Sequence, residues 1–432
     1  RMTELLRPPY AAEARRLTQE GKWELASEKL SQLITEVTGE QTLSLQINRD
    51  QYSLNSLNGR VSLVNGRSFF FKYHHEEGEE QTIQEYYRAA LLRDHGFDVD
   101  IPVYACGEPG RQILLYKLRD DKRLADVCRE IETKSDWEKI GPVIEAQRYA
   151  DHNILSHTLP TLRMASTEKV ASEPIHQLFW NRLVSPGHDI GLGGRVASFY
   201  VNQEFILGDM KLDWQTLSSL HWRINGVSYE KSLRELFLEA GRELDPQRLA
   251  DHGVVVAHGD AHNANVWYEN HHSKPRLVSF DPAFAGSSIP ALLAEIKATF
   301  HNIFAHPCWL YEADEAAERY NVSVARDGNT LTVNHDWQLT PLRKAFLESK
   351  GELYWKPLLT EMKRKGCLPD NWHQIMRLAL FCCPTLVMNL RGGSDSVHNA
   401  TSSAIGFSIA VMLGCDGDDY FSRWMSALMT EN

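Results

Sequence analysis

The spacing of hydrophobic residues changes from helical to strand-like early in the chain. Residues 11–37 carry apolar side chains at helical spacing and end at Gly39, which predicts a helix or a helix pair. Two apolar runs, at 61–64 and 67–73, then flank the dipeptide Asn-Gly at 65–66. Asn-Gly favours the tight turn in which both central residues have positive φ, so this segment predicts a β-hairpin.

One helix and two further strands complete the predicted N-terminal part. The segment 81–93 has helical periodicity and is followed by a Gly at position 96, while 101–105 and 112–118 are strand candidates. Beyond Asp120 the pattern is mainly helical. Because strands around one helix precede a larger helical part, the sequence predicts an α+β fold.

The helical part has a β-rich interruption at residues 182–229. Alternating apolar residues and a second Asn-Gly dipeptide, at 225–226, predict hairpin strands there. Short apolar strands are also predicted at Val254–Val256 and Arg276–Phe280, on either side of a histidine-rich loop. The chain after about residue 290 has a helical pattern throughout, which predicts helices to the end.

The composition is typical of a soluble protein of two or three domains. The 432 residues include 46 Lys and Arg against 57 Asp and Glu, a net charge of −11. A protein that binds nucleic acid through phosphate contacts needs a basic face, so no nucleic-acid partner is expected. The seven cysteines form no CxxC pair, which argues against a disulfide framework or a zinc ribbon. Without an apolar leader or a run long enough to span a bilayer, the sequence predicts a cytoplasmic protein with no membrane anchor.

Side chains with catalytic potential concentrate in two neighbouring places. His258, Asp260, His262 and Asn265 lie in the loop after one predicted strand, and Asp281 follows the next. This arrangement suits phosphoryl transfer, in which one carboxylate positions a hydroxyl nucleophile while an amide and a second carboxylate hold Mg²⁺. Oxygen atoms are the ligands that Mg²⁺ prefers.

The motif His258-Gly-Asp-x-His-x-x-Asn265, followed by the strand before Asp281, resembles the catalytic and metal-binding loops of the aminoglycoside-phosphotransferase and choline-kinase-like family. That family has the protein-kinase-like fold, so the resemblance implies two lobes, a β-rich N-lobe and a larger helical C-lobe. It implies that Asp260 is the catalytic base, that Asn265 and Asp281 bind Mg²⁺, and that ATP or GTP is the phosphoryl donor. Asp281 is followed by Pro282, where protein kinases have Phe-Gly, which leaves the subfamily open.

The resemblance also implies a strand lysine that holds the nucleotide phosphates and a helix glutamate that holds the lysine. Lys72, at the end of the predicted hairpin strand, and Glu85, on the predicted helix, occupy these places in the order of elements. Glu77, Glu79 and Glu80 are alternatives to Glu85, whose distance from the next strand fits the resemblance best. Tyr116 and Leu118 lie where the family binds adenine through its backbone, so we expect them at the nucleotide.

The expected domain organisation follows from this order. A helical segment at 1–40 precedes an N-lobe at 41–118, and a C-lobe at 119–432 contains the insertion 182–229. The turn that covers the phosphates is expected near residues 55–60, although this segment has one glycine and lacks the GxGxxG pattern.

The resulting hypothesis is an Mg²⁺-dependent kinase that phosphorylates a hydroxyl group of a small molecule, such as an amino sugar or an aminoglycoside. The negative charge is compatible with an aminated acceptor, but neutral sugars fit nearly as well. Acidic residues of the helical part are interpreted as solvated helix charges, among them Asp151, Glu295, Glu312, Asp314 and Glu315. The acceptor and the oligomeric state stay open.

Two alternatives remain at this stage. His258, Asp260 and His262 have the residue types of a zinc or iron site, which would make the protein a metal-dependent hydrolase. The chain could also be a kinase-like binding module without activity, although the catalytic and metal-binding residue types that the resemblance requires are all present.

Overall fold

The computed structural model describes residues 7–49, 56–74, 79–271, 274–393 and 396–429. The chain divides into two units. The smaller unit contains residues up to Lys122 together with Val278–Ala283, and the larger unit contains the segment from 123 to 277 and the chain from 284 onward. Among the residues described, each helix is too short or too polar to cross a lipid bilayer.

Strands dominate the smaller unit and helices the larger one. The helices are α1 (Tyr10–Gln19), α2 (Trp23–Thr38), α3 (Glu79–Asp94), α4 (Leu124–Lys134), α5 (Ile140–Thr158), α6 (Thr167–Ala171), α7 (Gly194–Phe199), α8 (Trp214–Leu217), α9 (Leu233–Glu243), α10 (Pro246–Leu249), α11 (Ile296–Thr299), α12 (Pro307–Leu310), α13 (Ala313–Arg319), α14 (Pro341–Ser349), α15 (Lys356–Arg364), α16 (Trp372–Val387), α17 (Ala400–Gly414) and α18 (Tyr420–Ala427). The strands are β1 (Thr42–Ile47), β2 (Ser56–Leu63), β3 (Ser68–His74), β4 (Tyr104–Cys106), β5 (Ile113–Lys117), β6 (Lys122–Arg123), β7 (Glu204–Leu207), β8 (Met210–Asp213), β9 (His221–Ile224), β10 (Val227–Tyr229), β11 (Val254–Ala257), β12 (Val266–Glu269), β13 (Arg276–Ser279), β14 (Gly286–Pro290), β15 (Val322–Asp327) and β16 (Thr330–His335). The predicted α+β fold, with a β-rich N-terminal part and a larger helical part, is confirmed.

The smaller unit is built on a five-stranded antiparallel sheet in the order β1-β2-β3-β5-β4. Residues of β3 alternate between its two faces. Phe69, Phe71 and Tyr73 are buried in a core that the sheet shares with α1 and α2. Lys72 therefore lies on the face of β3 opposite to this core.

The two Asn-Gly dipeptides form different turns. Both predicted hairpins are confirmed, because β2 pairs with β3 and β9 pairs with β10. In the second turn Asn225 and Gly226 both have positive φ, 50° and 84°, as expected for a two-residue loop. In the first turn Gly66 has a φ of 88° but Asn65 stays outside the left-handed region. The expectation of two left-handed residues is wrong there, because the Gly66 amide bonds the Leu63 carbonyl and the loop is one residue longer.

The phosphate-covering turn predicted near residues 55–60 is not found in its described part. Ser56–Arg60 belongs to strand β2, and position 55 lies outside the described residues. Gly59 is required by close packing within the sheet, since a Cβ atom there would collide with the Gln46 carbonyl oxygen and come within 2.6 Å of the Phe71 ring. Gly59, which suggested a turn in the sequence, is therefore a strand residue that close packing requires.

The expectation that the chain is helical after residue 290 is wrong at β15 and β16. These strands form a hairpin, and β16 pairs in parallel with β9, so that β10, β9, β16 and β15 make one four-stranded sheet. The physical reason is visible at 322–335, where apolar residues alternate around Asp327-Gly328. The β-rich segment near 221–229 is thus completed by a distant part of the chain.

The core of the larger unit positions a loop that follows β11. All four residues of β11 are buried, and the strand pairs with β14 in an antiparallel manner. The chain leaves β11 at His258 and enters β12 at Val266. We call residues 258–265 the catalytic-type loop. Its anchor is a buried strand, so its backbone has little freedom at the point where the polar side chains begin.

Candidate active site

Lys72 and Glu85 form a nearly buried ion pair in the smaller unit. The Lys72 ammonium, on β3, lies 2.7 Å from the Glu85 Oε1, on α3. The exposed fractions of the side chains are 18% and 6%. Burial opposes the charge of Lys72, but the carboxylates of Glu85 and Asp281 outweigh it and raise the pKa of Lys72. The lysine is therefore charged at neutral pH and held in one position.

Tyr116 holds the second oxygen of the same carboxylate. Its hydroxyl donates a hydrogen bond to Glu85 Oε2. Burial first, and then the Glu85 charge, raises the pKa of Tyr116 well above its usual value, so the phenol stays protonated. Tyr116 had been expected in a linker beside the adenine, but it lies within β5. Its side chain positions Glu85, a role that no pattern near Tyr116 indicates. Leu118 follows the end of the strand and is half-buried.

Asp281 completes this group in the smaller unit. Its Oδ1 lies 4.0 Å from the Lys72 ammonium, and its side chain is 46% exposed. The backbone of Asp281 has a φ of 53°, an unusual conformation for a residue other than glycine. Ser279, two residues earlier, is fixed by hydrogen bonds to Asp98 and Asp100 of the same unit. Such strain persists only where the surroundings enforce it, and it is common at functional sites.

Backbone-to-histidine hydrogen bonds shape the catalytic-type loop in the larger unit. The Asp260 amide donates to His258 Nδ1 at 3.1 Å, and the Ala264 amide donates to His262 Nδ1 at 3.2 Å. Gly259 has a φ of 83°, and a Cβ there would lie 3.0 Å from the Phe284 carbonyl oxygen. The two histidines thus accept bonds from the loop backbone, and Gly259 allows the sharp bend that precedes Asp260.

Asn265 is bonded directly to Asp260. Its Nδ2 lies 3.0 Å from the Asp260 carbonyl oxygen, 3.4 Å from Asp260 Oδ2 and 3.2 Å from His262 Nε2. The amide nitrogen is therefore committed to the loop, which orients the amide oxygen away from it. A carboxylate and an amide oxygen are ligand types that fit a hard divalent cation such as Mg²⁺.

The geometry does not favour a zinc or iron site at the three residues of the alternative hypothesis. Among the described residues, His258, Asp260 and His262 do not bring three ligand atoms within 4.8 Å of one another. The Nδ1 atoms of both histidines are already used as acceptors of backbone hydrogen bonds. A metal-ligating histidine needs a free ring nitrogen aimed at a shared centre.

A second layer of residues lies behind the catalytic-type loop, and no sequence pattern predicts it. The Asn263 amide donates to Asn302 Oδ1 at 2.8 Å, and the His301 ring lies 4.7 Å from that of His262. Tyr311 and His301 Nδ1 are hydrogen-bonded at 2.9 Å. Burial lowers the pKa of His301 well below its usual value, so this imidazole is neutral. These residues follow α11, and their spacing to the motif gives no sequence signal.

Two of the acidic residues interpreted as solvated helix charges are buried. Asp151 Oδ1 lies 2.6 Å from the Lys350 ammonium and Glu295 Oε1 lies 3.3 Å from it. Ser349 donates a further hydrogen bond to Asp151. The interpretation is therefore wrong for Asp151 and Glu295, because both contact one buried lysine from the C-terminal half. This group is structural and makes no contact with the catalytic-type loop among the bonds described.

The predicted site residues form two groups, one in each unit. Lys72, Glu85, Tyr116 and Asp281 come together in the smaller unit, and Asp260 and Asn265 come together in the larger one. The first group combines a charged lysine with an exposed carboxylate, which can bind an anionic, metal-complexed ligand. The second group presents a positioned carboxylate, which can accept a proton.

Comparison with known proteins yields structural likeness at low identity. No protein-family model and no curated protein matches the chain. It is similar to an amicoumacin kinase in complex with AMP-PNP, Ca²⁺ and Ami, at 12% identity over 90% of this chain and 95% of that chain, with a TM-score of 0.44. It is also similar to a type I macrolide 2'-phosphotransferase (12% identity, 91% and 97% covered, TM-score 0.39) and a microcompartment-associated aminopropanol kinase (12% identity, 86% and 94% covered, TM-score 0.37). At these values no property of these proteins is transferred to this chain.

Proposed function

We propose that this protein is a small-molecule kinase that transfers the γ-phosphoryl group of ATP or GTP to a hydroxyl group. The observation that carries the proposal is the ion pair between Lys72 and Glu85, which Tyr116 and Asp281 complete. Lys72, Glu85 and Asp281 were predicted separately from distant parts of the sequence, and they converge in space. A structural ion pair would need neither the half-exposed Asp281 nor its strained backbone.

The proposed reaction assigns one role to each group. The Lys72 ammonium, oriented by Glu85, compensates the negative charge of the donor phosphates. Asp260 orients the acceptor hydroxyl and accepts its proton. The acceptor oxygen forms a bond to the γ-phosphorus while the bond from that phosphorus to the bridging oxygen breaks, and the electron pair leaves with the nucleoside diphosphate. Asn265 supports this step by holding Asp260 through the Nδ2 contacts described above.

Asn265 and Asp281 would hold the divalent cation that the nucleotide requires. Their oxygen donors suit Mg²⁺, which binds proteins through a few carboxylate or amide oxygens and keeps several waters. When bound, such an ion neutralises charge on the donor phosphates. Asp281 also lies 4.0 Å from the Lys72 ammonium, so the lysine would share the phosphates with this ion.

We also propose a reducing, cytoplasmic location. The seven cysteines are all free, and six of them are buried. Free thiols in this number are typical of a compartment in which disulfides do not persist.

A phosphorylation screen tests the proposed function. The purified chain would be incubated with Mg²⁺-ATP or Mg²⁺-GTP and with amino sugars, aminoglycosides, nucleosides, neutral sugars and hydroxy acids, and nucleoside diphosphate release would be measured. We expect turnover with at least one acceptor class. Nucleotide binding without turnover on any acceptor would instead favour a non-catalytic module.

The variant Asp260→Asn tests the assigned base. Turnover should fall by about 10²–10⁴-fold, because the amide keeps the shape of the side chain but cannot accept the proton. Asp251→Asn, at an exposed aspartate of the same unit, is the matched control and should retain full turnover. An Asp260→Asn variant with the activity of the wild type would refute the assignment.

A further inference from the structure

Lys297 is a buried lysine without a counter-ion. Its side chain, on α11, is only 2% exposed, and within the described part of the chain no carboxylate lies within 4.0 Å of its ammonium. The ammonium faces the ring of Phe179, 5.4 Å from the ring centroid. Lys350 is equally buried but contacts two carboxylates. Burial lowers the pKa of Lys297, because the charged form of an unpaired buried lysine is unfavourable, so its place in the core requires an explanation.

Arg182 is a second cation with unmet hydrogen-bonding capacity. Its Nε and Nη1 atoms are buried and have no hydrogen-bond partner among the residues described. Burial, and then the charge of Arg195, lowers the pKa of Arg182 to about 10, which still leaves it charged at neutral pH. Buried donors are almost always paired, and an exception in a native protein points to a missing partner.

Lys297 lies on an element that contacts the catalytic-type loop, and Phe179 joins Arg182 to it. The Phe179 ring faces the Lys297 ammonium, and the Phe179 carbonyl accepts a hydrogen bond from the Arg182 amide at 3.0 Å. The helix α11 continues into a π-helical turn at Phe300–Phe304, whose His301 and Asn302 contact the loop. Lys297 precedes His301 by four residues, which places both side chains on roughly the same face. The charge of Asp260 also acts on the pKa of both Lys297 and Arg182, as expected for neighbouring groups.

Asp260 is the carboxylate whose charge acts on the pKa of both Lys297 and Arg182. His301 is neutral, and burial raises the pKa of the Cys382 and Cys383 thiols, so they remain uncharged as well. Arg182 is charged at neutral pH, and a negative charge placed nearby would favour the charged form of Lys297 as well. An anion placed between these cations would satisfy the unpaired donors and offset the cost of their burial.

We propose that Arg182 and Lys297 form an anion-binding subsite beside Asp260 that takes the acid group, carboxylate or phosphate, of the phosphoryl acceptor. The inference rests on the proposed function, because it concerns the acceptor of that reaction. It replaces the aminated acceptor suggested by the overall charge with a hydroxy acid. The subsite belongs to the larger unit, which supplies Asp260, whereas Lys72 of the smaller unit serves the donor phosphates.

Sulfate binding to the full chain tests the subsite without any need for turnover. The melting temperature would be followed during a sodium sulfate titration of the wild type, Lys297→Met and Arg182→Met. We expect sulfate affinity to fall by about tenfold or more in each variant, because each loses a charge-assisted hydrogen bond. Lys169→Met, at an exposed lysine of the larger unit, should match the wild type. Equal sulfate responses in all four proteins would overturn the proposal.

The melting temperature without sulfate separates this role from a structural one. Removing an unpaired buried charge should leave Lys297→Met as stable as the wild type or more stable, whereas Lys350→Met should melt lower because it strands two carboxylates. Equal losses of stability in both variants would show that Lys297 has a purely structural role.

The acceptor class is tested with matched sugars. Glucuronate and glucosamine each differ from glucose in one substituent, a carboxylate and an amine respectively. Phosphorylation of the acid should be the fastest in the wild type and lose its advantage in Lys297→Met. Preference of the wild type for the amine or the neutral sugar would overturn the inference while leaving the kinase proposal intact. Failure to bind Mg²⁺-ATP would instead count against the proposed function, and it would not affect the sulfate result.

Discussion

The smaller and the larger unit each contain a lysine that is held by carboxylates. In the smaller unit Lys72 pairs with Glu85 at 2.7 Å. In the larger unit Lys350 pairs with Asp151 at 2.6 Å and with Glu295 at 3.3 Å. A tyrosine accompanies each pair, since Tyr116 bonds Glu85 and the Lys350 ammonium lies 5.4 Å from the centroid of the Tyr354 ring. Distance alone would therefore classify both groups in the same way.

The two groups differ in the exposure of their carboxylates and in the backbone conformation of one of them. Asp281, near Lys72, is 46% exposed and has a left-handed backbone, whereas Asp151 and Glu295 are sealed in the core. A sealed group can only stabilise the fold, but a group with one exposed, strained member can also bind a ligand. An ion pair therefore does not show by itself whether a group binds a ligand or stabilises the fold. The exposure of each side chain in the group must also be known.

The largest expected effect comes from the sealed group. Lys350→Met should reduce the free energy of unfolding by about 3–5 kcal/mol, because two buried carboxylates lose their partner. Chemical denaturation of the purified variant measures this value. A loss of unfolding free energy below about 1 kcal/mol would contradict the structural role of the Lys350 group.

The equivalent change in the smaller unit should act on activity. Lys72→Met should lower turnover by about 10²–10³-fold, the usual effect of removing one donor to a charged transition state. Its stability loss should be smaller than that of Lys350→Met, since Tyr116 still bonds Glu85. Steady-state kinetics measure the loss of turnover, and denaturation of the same preparation measures the loss of stability. A fully active Lys72→Met variant would contradict a functional role for the Lys72 group.

Acid should weaken the larger unit through its buried histidines. Burial first lowers the pKa of His306 to about 3, and it also lowers that of His301. The unfolded chain then binds more protons below pH 6.5, so stability falls as the pH falls, by about 2 kcal/mol for His306 between pH 7 and pH 5. Denaturation at the two pH values measures the loss.

His306→Asn provides the matched control for this acid effect. Asparagine is a good N-cap and should keep the hydrogen bond that His306 Nδ1 accepts from the Cys308 amide at 3.1 Å. Its loss of stability between pH 7 and pH 5 should be clearly smaller than that of the wild type. Equal losses would contradict the assignment to His306.

The smallest effect is expected for Tyr116→Phe. The variant loses one hydrogen bond to Glu85, but Lys72 still pairs with the carboxylate, so the cost should be about 1 kcal/mol of unfolding free energy. Turnover should fall only a few-fold, as Glu85 gains some freedom. A loss as large as that of Lys72→Met would show that Tyr116 contacts the ligand itself.

The parts of the fold that depend on local patterns could be predicted from the sequence. The alternation of Phe69, Phe71 and Tyr73 gives β3 and places Lys72 on the other face. The Asn-Gly dipeptide at 225–226 forms the two-residue turn that its residues favour, whereas the same dipeptide at 65–66 does not, so this local signal predicts the hairpin but not the exact turn. In the same way, the spacing within 258–265 is short enough to keep Asp260 and Asn265 in contact whatever surrounds them.

What could not be predicted depends on contacts between distant residues. Nothing near Tyr116 indicates that its hydroxyl bonds Glu85, and nothing near Asp151 indicates a lysine at position 350. Lys297 likewise looks like an ordinary helix charge until its burial is known. Burial and pairing of charges are properties of the folded chain, so a pattern of residue types does not contain them.

The parallel pairing of β9 with β16 has a consequence for synthesis of the protein. His221 pairs with Thr330, so β9 must wait for about a hundred further residues before its partner exists. At about 5–20 residues per second on the ribosome, this corresponds to roughly 5–20 s during which one edge of the β9–β10 hairpin has no neighbour. An open strand edge invites pairing with other chains, so slow elongation between positions 229 and 330 should lower the yield of folded protein.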